Sequence, residues 1–213
     1  MLTVCWAAKG GSGTTVVSCA LALLGAATRG PTWLIDLAGD APAALGMAEP
    51  AKSGVHDWVL SAAPVQTIES IGIAAAEGLL LIARGGSSAP PERARWADLG
   101  QVLAASPVNV VVDAGSGVPP PGLVDAAQHR LLVTRPCYLA LRRAAASAVT
   151  PTGVVVVHEP GRALRAQDVA YAVQAPVVAE ISLDPAVARA VDAGLLASRL
   201  PRTLSVALSE LAV

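Results

Sequence analysis

Lys9, Gly10, Gly11, Ser12, Gly13, Thr14 and Thr15 run consecutively in the segment AAKGGSGTTVV, between a short apolar stretch and a long one. Such a segment can hold an anion. Glycine lets the backbone turn so that successive N–H groups face one point, and the first turn of a following helix adds its own free N–H groups and the positive end of its dipole. A polyphosphate tail is the anion that a strand, a glycine turn and a helix cradle best. Taken alone, the glycines also fit a plain tight connection, and both readings stand at this point. Lys9 separates the segment from background, because the only other lysine is Lys52 and the remaining cations are arginines.

Two carboxylates stand where packing does not explain them. Asp36 closes the run TWLID and Asp113 closes NVVVD, each at the end of an apolar stretch. Ligand or metal binding is one reading, and capping a turn is the other.

The elements that must position these residues alternate along the chain. LTVCWAA, TWLIDL, GLLLIARG, NVVVDAG, RLLVTRP, GVVVVHEP and APVVAEISL read as strands, several of them apolar on both faces as central parallel strands are. Helices are expected at about 14–28, 54–61, 90–105, 121–128, 138–149, 165–174, 185–198 and 202–212, with Pro or Gly at many junctions. This β/α alternation predicts an α/β fold with three layers, α/β/α, around a mostly parallel twisted sheet of about seven strands. A length of 213 residues fits a single domain over 1–213. In open sheets of this kind the ligand crevice lies at the carboxyl ends of the strands. Those ends are Lys9 to Thr15, Asp36 to Asp40, Arg84 to Ser87, Asp113 to Gly117, Thr134 to Pro136 and His158 to Gly161, all polar or glycine-rich in an otherwise apolar chain.

The ordinary phosphate-loop pattern GxxxxGK[ST] puts a lysine just before the magnesium-binding hydroxyl. Here Thr14 takes the lysine position and Thr15 the hydroxyl position, while Lys9 stands at the start of the loop. KGGSGTT resembles the deviant Walker A motif, KGGxGKT, of the MinD/ParA family of P-loop ATPases, keeping the first lysine and losing the second. The resemblance continues along the chain. WLIDLAGDAPAALG is similar to the family's second strand and first switch, VVVDAG to its Walker B strand, and LLVTRP to the strand that follows. GVVVVHEPGRALRAQDV and PVVAEISLDPAVARAVDAGLLASRL look like its last two strand and helix units, closest to MinD and to the pilus-associated CpaE/TadZ members.

The resemblance implies a P-loop NTPase-like fold and a site for ATP and Mg2+, with Lys9, Gly10, Gly11, Ser12, Gly13, Thr14, Thr15, Asp36, Asp113 and His158 around the nucleotide. Thr15 and Asp113 would hold the metal. It implies a homodimer as well, since the family's signature lysine, here Lys9, reaches the partner subunit's phosphates. Departures from the pattern bear on chemistry. Thr14 donates a neutral hydrogen bond where the family has a cation, removing a major stabilising interaction for phosphoryl transfer. Asp36, Leu37, Ala38 replaces the family's DxD pair, so the carboxylate that positions water is missing, and Asp40 substitutes for it only if the loop shifts. His158 stands where the family has an adenine-contacting Asn. These features imply a positioning or scaffold protein with weak or absent hydrolysis. An active ATPase driving partition or assembly cycles is the alternative. A dinucleotide-binding reading of GSGTTV, with Asp36 as the ribose-binding acid, lacks a third glycine, because Val16 stands there.

Composition limits the partners. Hydrophobic residues make up 54% and charged residues 15% of the chain, and the formal net charge is −1. No apolar run is long enough for a membrane span, no general field attracts nucleic acid or an anionic bilayer, and MLTVCWAAKGG lacks the features of a secretory signal. Cys5, Cys19 and Cys137, apolar in surroundings and widely spaced, read as reduced core thiols of a cytoplasmic protein. His56, His129 and His158 share no metal-ligand spacing. The Arg142–Arg143 doublet reads as a solvated helix face, with a DNA-contact patch as the sharper option. SVALSELAV at the end of the chain reads as a helix packed on the domain rather than a membrane anchor, because it lacks basic residues.

Overall fold

A computed structural model describes residues 1–50 and 53–212, so Lys52 lies outside the described residues. Eight strands form one sheet: β1 (Leu2–Ala7), β2 (Thr32–Asp36), β3 (Ile73–Ala76), β4 (Leu79–Ile82), β5 (Asn109–Ser116), β6 (His129–Thr134), β7 (Gly153–His158) and β8 (Val177–Ser182). Their spatial order is β3-β4-β2-β5-β1-β6-β7-β8. All neighbouring pairs are parallel except β3 and β4.

The seven strands read from the sequence are all present, and β3 is the eighth. Its residues, IAAA, carry little intrinsic β preference; a tight turn at Gly78, φ +70°, folds them back against β4, and that pairing makes them a strand. The helices are α1 (Thr14–Thr28), α2 (Ala41–Leu45), α3 (Val55–Leu60), α4 (Arg95–Ala104), α5 (Pro121–Ala126), α6 (Tyr138–Ala145), α7 (Ala166–Val173), α8 (Pro185–Asp192) and α9 (Arg202–Leu208). Several were read too long: α4 begins at Arg95 and not at 90, and α9 ends at Leu208 and not at 212. α8 stops at Asp192 because Gly194 follows in the left-handed region, φ +64°, and α6 stops at Ala145, short of the predicted 149. α2 was not expected at all: five residues are too few for a helical period to register.

Alternation along the strands divides the core. Cys5, Leu34, Val111, Val133 and Val155 face the side covered by α1, α2 and α9. Leu2, Val4, Ile35 and Val112 face the other side, where Trp58, Trp96, Leu99 and Leu123 cover them. Trp6, Leu132, Val154 and Val156 continue that second side beneath residues of α6 and α7. The sheet is therefore a middle layer with helices on both faces. α1 carries no charged residue, because it is covered on the far side by α2 and α9 as well as lying on the sheet.

Cys5 and Cys19 are buried, and burial pushes both thiols up, Cys5 to about 12, so they behave as small apolar groups. Cys137 departs from the reading: it precedes α6 and is only half-buried. The C-terminal helix packs on the domain through Leu204 and Leu208. Among the described residues no helix is long and apolar enough to cross a membrane. Two glycines form a backbone joint at one end of the fold. Gly46, in the left-handed region after α2, lies so close to Gly194 that an added Cβ would sit 1.8 Å from the Gly194 carbonyl oxygen.

Candidate phosphate-binding site

β5 lies between β1 and β2, and this insertion brings three chain ends together at the carboxyl edge of the sheet. In the dinucleotide-binding arrangement the first two strands are neighbours. Here they are not, which removes the structural basis for reading Asp36 as a ribose-binding acid.

A cleft of about 550 Å3 opens between the loop Gly10 to Val16, the loop after β2 at Leu37, Ala38 and Asp40, and the end of β5 at Ala114 to Ser116. Gly11 and Gly13 adopt φ of +79° and +90°, which turns the backbone around the cleft, and α1 begins directly after Gly13. The loop braces itself: Ser12 Oγ donates to the Lys9 carbonyl at 2.8 Å. Among the described residues, the amides of Gly10, Gly11, Gly13, Thr14 and Thr15 donate to no acceptor. The turn is open, and its free donors stand beside the first turn of α1, an arrangement that can hold an anion.

Behind this lining Asp113 is fully buried. One carboxylate oxygen accepts from the Gly115 amide at 3.0 Å, and the other, Oδ2, is buried without a hydrogen-bond partner among the described residues. Burial is the main cause that raises its pKa, to about 6; the Thr15 side chain pulls it back, short of a formed hydrogen bond, and Asp36 and Asp40 push it further up. An orphaned carboxylate oxygen beside a threonine hydroxyl fits a hard divalent cation, directly or through water.

Asp36 does not face the cleft. It pairs in register with Asp113 on the neighbouring strand, and its carboxylate accepts from the amides of Ala38, Gly39 and Ala41 at 2.9, 2.7 and 3.1 Å. Its role is the turn-capping one: it clasps the loop that carries Ala38 and Asp40. Ala38 meets Gly115, where an added Cβ would come within 3.0 Å of the Ala38 methyl, so the gap between these loops is closed by small residues. Asp40 is exposed, lines the cleft mouth, and begins α2 without capping it through its side chain, which leaves its carboxylate free. Lys9 is half-exposed and does not line the cleft; its Nζ lies 3.4 Å from the Gly10 carbonyl.

Solved structures share this architecture over nearly the whole chain. The septum site-determining protein MinD of Pyrococcus horikoshii OT3, complexed with Mg-ADP, matches with a TM-score of 0.78 at 16% identity, over 100% of this chain and 95% of its own. The MinD cell division protein of Aquifex aeolicus matches with 0.80 at 18%, over 99% and 94%. A ParA family ATPase of Chlorobium tepidum TLS matches with 0.79 at 16%, over 99% and 97%. The chain has a MinD/ParA-like P-loop fold. No family model and no curated protein matches the sequence.

Within the MinD/ParA-like fold, two features beside the loop were not read from the sequence. An apolar pocket of about 200 Å3 adjoins Gly13 and Val16 and is walled by Val157, Ile181 and Leu183 at the ends of β7 and β8. Its residues are scattered over the chain and carry no shared spacing. Arg135, after β6, stands in the same pocket; its Nη1 is paired with Glu159, which also holds Arg162, and its Nε is buried without a partner among the described residues. His158 is turned elsewhere. Its Nε2 lies 2.6 Å from Glu180 on β8, and it lines neither the pocket nor the cleft. His56 is buried, accepts from the Ala89 amide at 2.8 Å and meets Trp96 edge-on, so it is a core residue of α3. Asp57 gathers the amides of Gly54, Gly86 and Ser87 and so fixes the loop after β4.

The raised Asp113 pKa fixes the sign of a pH effect. The folded carboxyl keeps its proton to about pH 6 while the unfolded one releases it near 3.8, so the folded state binds more protons between these values and loses stability as pH rises through them. The gap corresponds to roughly 3 kcal/mol. Asp113→Asn is expected to be more stable than the parent above about pH 6 and to show a shallower fall between about pH 4 and pH 6, read by urea denaturation across that range. Asp36, raised by the same burial, leaves part of the slope in the variant.

Proposed function

We propose that the chain binds ATP with Mg2+ in the glycine-loop cleft and serves as a positioning or scaffold protein of the MinD/ParA type, hydrolysing slowly or not at all and acting as a homodimer. The observation that carries this reading is the set of free amides from Gly10 to Thr15 around an open cleft, with the orphaned Asp113 oxygen behind it. The triphosphate would lie against those amides, the base in the apolar pocket between β7 and β8, and the metal between Thr15 and Asp113. Magnesium in that position would offset phosphate charge as bonds to the terminal phosphate loosen.

What the chain's own residues do favours holding over turnover. Thr14 offers no charge to the phosphates, and Ala38 offers no carboxylate to orient water. Of the cations beside the loop, Arg135 is engaged with Glu159, and Lys9 stands outside the cleft, where it suits a partner subunit. Septum-site determination and the ATPase of the ParA family belong to the proteins that share the fold. A reduced, cytoplasmic setting agrees with the buried thiols.

Isothermal titration with ATP and magnesium is expected to give weak binding, and Thr14→Lys to tighten it about tenfold or more, since a hydrogen bond to a charged group contributes about 1.5–3 kcal/mol. No heat and no thermal shift at millimolar nucleotide would reduce the chain to a fold relative without the ligand. Lys9→Ala is expected to weaken dimerisation in the presence of a nonhydrolysable ATP analogue while leaving the melting temperature unchanged. Equal light scattering from parent and variant removes the cross-subunit role.

The free Asp40 carboxylate at the cleft mouth favours one second reading, an active ATPase in which Asp40 orients water. Phosphate release that is measurable in the parent and lost in Asp40→Ala supports it; release that persists in the variant removes that role from Asp40.

A further inference from the structure

On the face formed by α8 and α9, away from the glycine loop, a groove of about 550 Å3 is edged by Arg189, Arg199 and Arg202. All three are exposed, and none forms an ion pair among the described residues. The one carboxylate lining the groove, Asp184, accepts from the Ala186 amide at 2.8 Å with one oxygen and from the Thr203 hydroxyl with the other, and it keeps its charge, which these bonds and Arg189 favour. Three arginines against this one carboxylate leave the groove with an excess of positive charge in a chain whose formal net charge is −1. Its floor is apolar, made by Ala190, Leu195 and Leu200, and Leu195 is 46% exposed. α8 above it buries no side chain completely, although Val187 and Val191 rest on the core.

We infer that this groove docks a short acidic segment of a partner protein, with an aliphatic side chain on the floor and carboxylates against the arginines. Arginine pairs with carboxylates through two parallel N–H donors, and concave apolar floors with charged rims take peptide anchors. Nucleic acid is the weaker fit. No aromatic side chain lines the groove to stack a base, and three cations are few beside the roughly 6–10 phosphate contacts that drive strongly salt-dependent binding to a duplex. The inference does not depend on nucleotide binding, since no residue of the glycine loop lines the groove.

The test uses the full chain and a fluorescein-labelled peptide of alternating glutamate pairs and leucines, read by polarisation. The peptide is expected to bind, and its counterpart with every glutamate replaced by glutamine to bind about tenfold more weakly or worse. The triple variant Arg189→Ala, Arg199→Ala, Arg202→Ala is expected to lose a similar factor while keeping its circular dichroism and melting temperature. Arg142→Ala with Arg143→Ala, an exposed doublet on α6, is the control and is expected to bind as the parent does. Equal binding by the triple variant, or none by the parent at millimolar peptide, overturns the inference. A DNA duplex that outcompetes the peptide and is lost in the triple variant reassigns the groove to nucleic acid. A dimer of the parent that the triple variant cannot form reassigns it to a second copy of the chain.

Discussion

Insertion of β5 between β1 and β2 is the constraint on which the site depends. Hydrogen bonding along both edges of β5 sets Asp113 level with Cys5 on one side and Asp36 on the other, and it delivers the loops after β1, β2 and β5 to a single point. Two carboxylates end up side by side in the interior. They are tolerated because they divide the work: Asp36 spends its charge on three backbone amides, while Asp113 keeps one oxygen without a donor. The first carboxylate makes the loop rigid, and the second makes the place chemically unfinished.

The charge around that place is one-sided in an informative way. A phosphate cradle made of amides and a helix dipole gains its attraction from partial charges, which position an anion well but do little to draw electrons away from a bond about to break. A neutral hydroxyl at Thr14 and an alanine at position 38 stand at the cleft in place of charged side chains, which is why the proposed function favours holding over turnover. Arg135, close to the loop, is paired with Glu159, a carboxylate it shares with Arg162.

Much of the architecture was legible because buried parallel strands are written as continuous apolar runs, and because Gly13 before an apolar, charge-free α1 marks a helix start. β3 was not legible: three alanines and an isoleucine become a strand only through the neighbour they pair with. The same distinction holds for the site. Residues contiguous in sequence, Gly10 to Thr15, could be assembled from their order alone, and Asp113 from its place at the end of a strand. Asp36 looked identical to Asp113 by that criterion, and only the path of the next five residues shows that its oxygens are turned onto the backbone. Arg135 and the pocket wall at Val157 and Ile181 come together from three separate strand ends, a proximity that no spacing records. His158 was expected at the nucleotide from a resemblance in position, but Glu180 on the neighbouring edge strand β8 claims its ring.

The backbone contact between Gly46 and Gly194 joins the end of α2 to the turn that follows α8. α2 follows Asp40 on the rim of the cleft and is only five residues long. At its far end the chain touches the turn that closes α8, with no side chain in between to yield. The end of α2 and the turn after α8 thus meet backbone to backbone, and any side chain added at either glycine would have to push them apart. The seam between α2 and α8 is fixed by two residues whose only qualification is that they have nothing beyond the backbone.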